Sequence, residues 1–293
     1  MASLKEIRTR ITSVSSTKQI TSAMKMVSAA KLRRAQDAII QMRPYANKLH
    51  EILTSLSASL DDSADNKYGQ QREIKKVLLV AISSNRGLCG GFNSSIVKKV
   101  IELTQKQYAD QYVKGNVDII GFGKKASDIL RHRDVVIKET HHEVYDHLNF
   151  EYVAEMARLL MDKFTSGEYD RIDIVYNQFK NAAVQILSQE QFLPVKIEES
   201  EEDQTSNKDY IFEPSKEFIV NELIPKSLKI QFYKALLDSH ASEHGARMTA
   251  MHQATDNATE LIRELKLHYN KARQTAITNE ILEIVGGAEA LKG

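Results

Sequence analysis

The two ends of the chain carry long helical patterns, and the residues between them alternate between short apolar runs and helical stretches. From residue 248 onward, apolar or small side chains recur at alternating steps of three and four residues, which is the spacing of a coiled-coil seam. These positions are Met248, Met251, Thr255, Ala258, Ile262, Leu265, Tyr269, Ala272 and Ala276. A seam of this kind needs a second helix to cover it.

The N-terminus supplies a helix of matching period, predicted over residues 3 to about 58. Ser3 is a plausible N-cap because Glu6 follows in the capping-box position. The seam begins with Leu4, Ile7, Ile11 and Val14 and continues more loosely through Ile20, Met24 and Val27. We therefore expect the first helix to pair with the last, which is predicted from near residue 220 to about 285.

The middle of the chain predicts a separate α/β unit. Residues 76–83 form an apolar, β-branched run typical of a buried parallel strand, and a glycine-rich turn and a helix over about 94–112 follow it. Further strands are predicted at 117–121, 135–137, 171–178 and 184–187, with helices at 124–131 and 150–164. This order favours a mostly parallel sheet covered by helices, with the last two strands in a hairpin.

The fold class predicted is therefore α/β: an antiparallel coiled coil of the N- and C-terminal helices with an inserted Rossmann-like α/β domain. The polar stretch 61–69 is a natural linker, and we place a shaft helix at 1–60, an α/β head domain at 70–212 and a second shaft helix at 213–293. An acidic run over 198–203 lies near the end of the head domain, either as a solvated loop or as a contact with a neighbouring subunit.

Composition excludes several classes of function. The single cysteine cannot form an internal disulfide, which indicates a reducing compartment, and the formal net charge of +1 gives no global reason for nucleic-acid binding. Nothing approaches the roughly 20 consecutive apolar residues of a membrane-spanning helix. The N-terminus lacks the apolar core of a secretory signal, and we interpret it as mature structure and not as a transit leader.

The loop after the first strand invites a phosphate-binding hypothesis. Its glycines, Gly87, Gly90 and Gly91, match neither of the common phosphate-loop spacings, so we favour a tight structural turn over nucleotide binding. Cys89 in this loop has two interpretations: a thiol made reactive by Arg86, or a small buried side chain, and we favour the second.

The histidines suggest metal binding only weakly. His141, His142 and His147 cluster near Glu143 without the spacing of a helical metal motif, and a solvated loop is favoured there. His240 and His244 are four residues apart on the last helix, a spacing that suits a metal pair, but no third and fourth ligands accompany them. No nucleophile elbow is present. We predict no catalytic residue, no metal and no cofactor.

The first 40 residues are strongly basic. Their cationic face could be solvated, could bind nucleic acid or could dock an acidic protein. Because aromatic residues are missing from this stretch, base stacking has no support, and an acidic protein partner is favoured. The last helix carries a polar run that either bonds to another chain or is simply exposed. Its members are Asn270, Arg273, Gln274, Thr278, Asn279 and Glu280.

Specific strings carry a family resemblance: LKEIRTRITSVSSTKQITSAMKMVSAAKLRRAQ at the start, RGLCGGFN after the first strand, and SEHGARMTAMHQATDNA and YNKARQTAITNEILEIVGGAEAL at the end. Together they resemble the gamma subunit of the F-type ATP synthase. The resemblance covers both terminal helices and the glycine loop in the correct order. Between residues 95 and 230 it lies in layout more than in motif.

The resemblance implies a non-catalytic rotor shaft. The paired helices would stand inside a ring of alpha and beta subunits, with the head domain against the epsilon subunit and the membrane c-ring, and with neither nucleic-acid binding nor direct membrane insertion. Proton flow would turn the c-ring and the shaft, driving each beta subunit through its nucleotide states. The implied location is peripheral, on the cytoplasmic face of a bacterial inner membrane, because one cysteine cannot form the redox pair of the chloroplast branch.

The resemblance also implies contact residues. Met24, Lys25 and Met26 match the part of the first helix that faces the beta subunit's lever loop, which is acidic in this family. Polar contacts with beta and a hydrogen-bonded catch are implied for Arg247, Arg273, Gln274, Thr278 and Glu280. Arg86, Gly87, Cys89, Gly90 and Gly91 match the family's structural loop, although Asn85 stands where the family commonly has Asp.

Two other functions stay open on the residues alone. A nucleotide-dependent α/β enzyme with helical extensions would explain the strand, glycine loop and helix. A standalone coiled-coil scaffold would explain the terminal helices but not the strand-rich middle.

Overall fold

The computed structural model describes residues 3–57, 67–195 and 216–290. They belong to two compact units: Met1–Ser28 with Arg247–Gly293, called the helical unit here, and Ala29–Ala246, called the head unit. Helix α1, Leu4–Ser57, and helix α6, Lys216–Ala290, each contribute to both units. The acidic run at 198–203 and the predicted boundary at residue 212 lie outside the described residues.

The helical unit is an antiparallel pair. Thr21 of α1 contacts Thr255 of α6, whereas Leu4 and Ile7 line a groove together with residues nearer the C-terminus, from Leu261 to Asn279. Residues nearer the N-terminus of α1 therefore contact residues nearer the C-terminus of α6, so the two helices run in opposite directions. The Ser3 side chain accepts a hydrogen bond from the backbone N–H of Glu6 at 3.2 Å, which confirms the predicted cap.

The predicted seam of α6 is confirmed for most of its length. Met251, Ala258 and Leu265 are buried, and the intervening seam positions as far as Ala272 are half-buried. Ala276 is exposed, because the partner helix begins at Leu4, which lies level with the preceding turn.

The seam of α1 differs from the prediction after Val14. Ile20 and Val27 are 60% and 57% exposed, and Lys18, Thr21, Lys25 and Ser28 take the inward positions instead. The reason is geometric: Ile20 comes six residues after Val14, which at about 100° per residue rotates it roughly 120° off the seam. A continuous helix keeps its phase, so the polar residues face α6.

The head unit contains a five-stranded sheet within the described residues, in the order β3-β2-β1-β4-β5. The strands are β1 Val77–Ile82, β2 Val117–Phe122, β3 Glu139–His141, β4 Arg171–Phe179 and β5 Gln185–Leu193. The first four are parallel neighbours, and β5 pairs antiparallel with β4 as the predicted hairpin. The α/β prediction with an inserted, mostly parallel sheet is confirmed.

Helices cover both faces of this sheet. They are α2 Phe92–Glu102, a π-helical turn Leu103–Gln107, α3 Ala109–Val113, α4 Lys124–Arg131, a 3₁₀ turn Glu143–Tyr145 and α5 Phe150–Thr165. One core packs α5 and the first part of α6 against the sheet through residues such as Phe164 and Phe232, and the other packs α2 and α4 through Ile96 and Leu130.

The third strand lies later than predicted. The expected strand at 135–137 is wrong: Asp134 has a left-handed φ of 58°, and the Val135 N–H donates to the Leu130 carbonyl, so the chain is still closing the end of α4. Val136 is 82% exposed. Pairing with β2 begins only when the chain reaches Glu139.

Candidate subunit-contact surface

The glycine loop lies at the carboxyl end of β1 and leads into α2. Gly90 has a φ of 58°, which glycine adopts without strain, and Gly91 is the residue before the first turn of α2. Leu88 takes a similar left-handed conformation, with a φ of 61°, and is 66% exposed. The loop is thus a tight turn, as the sequence indicated.

The polar side chains of this loop bond to one another. The Ser84 N–H donates to Asn93 Oδ1 at 3.1 Å, and Asn93 Nδ2 donates to Ser84 Oγ at 2.8 Å and to Cys89 Sγ at 3.2 Å. Cys89 is only 2% exposed, in agreement with the buried interpretation of its thiol. The loop therefore uses these groups to hold its own shape.

Asn85 makes contacts that explain an amide at this position. Its Nδ2 donates to the His142 carbonyl at 2.7 Å, and its Oδ1 accepts from the Lys124 N–H at 3.2 Å. An aspartate could accept the second bond but could not donate the first. The His142 carbonyl is thus a partner that suits Asn at this position.

Two of the clustered histidines, His141 and His142, lie close to neighbouring carboxylates. His141 lies 3.4 Å from Glu139 and 3.6 Å from Glu143, and Lys163 also binds Glu139 at 2.6 Å. The Lys163 hydrogen bond and charge, with a smaller contribution from His141, hold the pKa of Glu139 below its usual range. In the part of the chain that the structure describes, no group of three His, Cys, Asp or Glu residues is arranged to hold a metal ion.

Two buried carboxylates in the head unit differ in how they are compensated. Asp173 accepts from the Tyr108 hydroxyl at 2.6 Å and from Arg171 Nε at 3.0 Å, so its charge is fully paired inside the sheet. Asp238 on α6 is 5% exposed, and desolvation raises its pKa to about 6; Glu190 adds to the rise, while Lys234 and Arg43 oppose it.

The Tyr108 contact also explains an irregularity in a predicted helix. The helix expected over about 94–112 begins at Phe92 and passes through the π-helical turn before Tyr108, whose φ is −120°. That change of path directs the Tyr108 side chain inward, where its hydroxyl reaches Asp173.

The predicted contacts on α1 differ in exposure, and one of them, Lys25, occupies an inward position of the seam. Met26 is 65% exposed, Met24 and Lys25 are half-buried, and the two apolar residues displaced from the seam, Ile20 and Val27, flank them. We call these five residues the α1 patch. Ile20 and Val27 were not predicted as contacts, because their spacing placed them in the expected seam.

The predicted contacts on α6 fall into two kinds. Arg247 is 7% exposed, whereas Arg273, Gln274, Thr278 and Glu280 are all exposed. The Thr278 hydroxyl donates to the Gln274 carbonyl at 2.9 Å, which is a bond within the helix. The structure thus places four of the five on an accessible stretch beyond the level of Leu4.

Large apolar residues accompany that polar stretch. Exposed fractions range from 48% to 66% at Ile277, Ile281, Leu282, Ile284 and Val285. We call these five residues the α6 tail patch. Such a concentration of exposed apolar side chains on one helix is typical of a surface that another protein covers. The three- and four-residue spacing of Ile277, Ile281 and Ile284 continues past the end of the α1 seam, and this signal was available in the sequence.

None of the helices in residues 3–57, 67–195 and 216–290 has the length and apolarity needed to cross a bilayer.

Comparison with known proteins gives a consistent result along the whole chain. A family model described as ATP synthase matches residues 3–291. The ATP synthase gamma chain of Flavobacterium psychrophilum is 64% identical over 293 residues, covering all of both chains. The ATP synthase gamma chain of Chlorobium phaeobacteroides is 47% identical over 294 residues, again covering all of both.

Solved structures share the fold. A chain of the mitochondrial ATP synthase of Euglena gracilis superposes with a TM-score of 0.71 at 24% identity, covering 98% of this chain and 94% of that one. A chain from the central stalk and c-ring of the Tetrahymena thermophila mitochondrial ATP synthase gives a TM-score of 0.58 at 27% identity, covering 80% of this chain and 99% of that one.

Proposed function

This chain belongs to the ATP synthase gamma chain family, and on that premise we propose that it is the central rotor shaft of a proton-translocating F-type ATP synthase. The observation that carries the proposal is a sequence relationship that runs the full length of both chains. The chain is thus a subunit of an enzyme complex, and we assign it no bond chemistry of its own. That assignment is supported by the glycine loop, whose polar groups at Ser84 and Asn93 hydrogen-bond to each other.

Rotation of the c-ring turns the shaft, and the shaft changes the conformation of each catalytic beta subunit in turn. This coupling needs contact energies that depend on rotary angle, because a surface that bound every beta conformation equally would shift none of them. A shaft must therefore be chemically different on its different sides.

The helical unit meets that requirement. The α1 patch combines exposed methionine and branched aliphatic side chains with the ammonium group of Lys25. Exposed basic residues elsewhere on α1 add positive charge, including Lys5 and Arg8. We assign this surface to the acidic lever loop of beta, which it would attract through charge and hold through apolar contact.

The C-terminal stretch of α6 is assigned a second contact. Its guanidinium, amide, hydroxyl and carboxylate groups, at Arg273, Gln274, Thr278 and Glu280, stand beside the α6 tail patch. We propose that the polar groups form the catch with beta and that the tail patch is covered by the surrounding alpha and beta subunits. Arg247, which is buried and lies much earlier on α6, is assigned a separate polar contact with beta.

The remaining assignments follow from the same premise. The head domain, 70–212, contacts the epsilon subunit and the c-ring, and the shaft helices occupy 1–60 and 213–293. The chain is peripheral, on the cytoplasmic face of the bacterial inner membrane, and is held there through the c-ring.

Co-expression with the alpha and beta subunits tests the proposal. We expect a complex of several alpha and beta copies with one copy of this chain, and ATP hydrolysis that depends on the chain although the purified chain alone hydrolyses none. Ile281→Ser combined with Ile284→Ser should weaken assembly without unfolding the isolated chain, because both side chains are exposed in it.

Val113→Ser is the matched control, because Val113 is 86% exposed but lies on α3 of the head unit. It should leave the complex with alpha and beta intact. The proposal fails if the chain does not enter the complex. It also fails if the isolated chain binds and hydrolyses ATP and either Gly90→Ala or Gly91→Ala abolishes that activity, which would instead support a nucleotide-dependent enzyme.

A further inference from the structure

The contact between α1 and α6 in the helical unit changes character along its length. Near the N-terminus of α1 the inward positions are apolar: Leu4, Ile7, Ile11 and Val14. The next inward positions, at the same three- and four-residue spacing, are Lys18, Thr21, Lys25 and Ser28. Two heptads of the α1 seam therefore lack the large apolar side chains that normally hold a coiled coil in register.

A cross-helix hydrogen bond lies in this polar part of the seam. Thr21 Oγ1 and Thr255 Oγ1 are 2.8 Å apart, and Thr21 is 8% exposed. On α6 the neighbouring seam residues, Met251 and Ala258, are buried. The two hydroxyls thus meet in a largely water-excluded environment, where a polar atom without a partner is costly.

Each hydroxyl has one proton, and the surrounding acceptors account for both. Thr255 Oγ1 lies 2.7 Å from the Met251 carbonyl, and Thr21 Oγ1 lies 3.0 Å from the Lys18 carbonyl. One threonine can donate across the seam while the other donates to its own helix, so both protons are bonded. This arrangement exists only when the two residues are level. A slip of one turn would place each hydroxyl against a different part of the partner helix.

We propose that Thr21 and Thr255 are a positioning pair that fixes the axial register of α1 against α6. A polar pair at a coiled-coil seam is well suited to this task, because it adds little attraction but penalises every misaligned pairing. The register itself is a property of this chain. Its consequence for coupling rests on the proposed function, since a shaft whose helices slide under torque would deliver less rotation to its partners.

Cross-linking in the full-length chain measures the register directly. Stepping seven residues from the Thr21–Thr255 contact in opposite directions brings Val14 level with Ile262, so Val14→Cys with Ile262→Cys reports the native register. Val14→Cys with Tyr269→Cys reports a slip of one heptad, about 10 Å along the axis. Val14→Cys alone controls for reaction with Cys89, the native cysteine.

Thr21→Val combined with Thr255→Val removes both hydroxyls and keeps the side-chain shape. We expect the ratio of native to slipped cross-linking to fall about five-fold, the effect of one lost hydrogen bond on an equilibrium. Thr21→Ser with Thr255→Ser should restore the ratio. The melting temperature should not fall in the valine variant, because valine is more apolar than threonine. A changed cross-linking ratio without a loss of stability would show that the pair sets the register and does not merely stabilise the helices. If the double variant does not fold, Thr21→Val alone serves, because Thr255 keeps its bond to Met251.

Proton pumping per ATP hydrolysed, measured in vesicles that contain the whole complex, tests the consequence for coupling. We expect it to fall in the valine variant and to recover in the serine variant. An unchanged cross-linking ratio would overturn the register proposal. Failure of the unmodified chain to assemble with alpha and beta would instead contradict the proposed function, while leaving the cross-linking result valid.

Discussion

Gly245 of α6 packs directly on Ala182 in the turn between β4 and β5. A Cβ atom built on Gly245 would lie 3.1 Å from Ala182 Cα and 3.2 Å from the Ala182 carbonyl oxygen, which is tighter than nine in ten real Cβ contacts. Glycine in the middle of a helix normally costs about 1 kcal/mol relative to alanine. Here it lets a long helix lie against a hairpin turn within the head unit.

Gly245→Ala should therefore destabilise the chain despite its higher helix propensity. Overpacking typically costs about 1–3 kcal/mol, which exceeds the propensity gain of about 1 kcal/mol. Gly286→Ala is the control, because Gly286 is in the same helix with nothing within 4 Å of an added Cβ. Chemical denaturation should show a lower free energy of unfolding for Gly245→Ala. For Gly286→Ala the free energy of unfolding should rise or stay the same. Equal stability in both would contradict the packing argument.

Gly90→Ala should lower the free energy of unfolding by about 1–2 kcal/mol, because alanine pays the left-handed backbone penalty at a φ of 58°. Gly87→Ala, in the same loop but without a left-handed φ, should stay within about 0.5 kcal/mol of the unmodified chain. Urea denaturation followed by circular dichroism measures both. If Gly87→Ala lowered the free energy of unfolding more than Gly90→Ala, the left-handed conformation at Gly90 would not be the reason for glycine in this loop.

Tyr108→Phe should destabilise the head unit by about 2 kcal/mol, because it removes a hydrogen bond to the charged Asp173 and leaves that carboxylate with one fewer donor inside the protein. Tyr112→Phe, four residues further on and 36% exposed, provides the comparison and should change stability little. Equal denaturation midpoints for the two variants would show that Asp173 is satisfied without Tyr108.

Asp238 should make stability depend on pH in a direction opposite to that of a salt-bridged acid. Its folded pKa, about 6, lies above the unfolded value near 3.9, so the folded state binds its proton more tightly. The resulting stabilisation is fully present below about pH 4 and is lost as the pH rises through about 6.

Asp238→Asn removes this dependence. The variant should match the unmodified chain below about pH 4 and exceed it at pH 8 by about 2–3 kcal/mol, since only the unmodified chain then carries the buried charge. Denaturation at several pH values measures the difference, with the low-pH point as the internal control. A difference that is constant with pH would exclude titration of Asp238 as its source.

The sequence by itself determined the elements whose signals are local. The period of α6, the cap at Ser3, the strands at 77–82 and 171–179 and the hairpin that follows were all readable, because each depends on residues within a few positions of one another. The family resemblance lay in short strings at both ends of the chain. The spacing of Ile277, Ile281 and Ile284, which are exposed, was also visible in the sequence as an apolar helical pattern that continues past the end of the α1 seam.

Tertiary structure alone decided which of several compatible faces meets which partner. Ile20 and Val27 are hydrophobic enough for a seam, but the phase set by Leu4 to Val14 turns them outward and brings Thr21 to Thr255. β3 begins at Glu139 because the end of α4 holds Val135. Local pattern specifies the period of an element, whereas its rotation and pairing depend on contacts between residues that are distant in sequence.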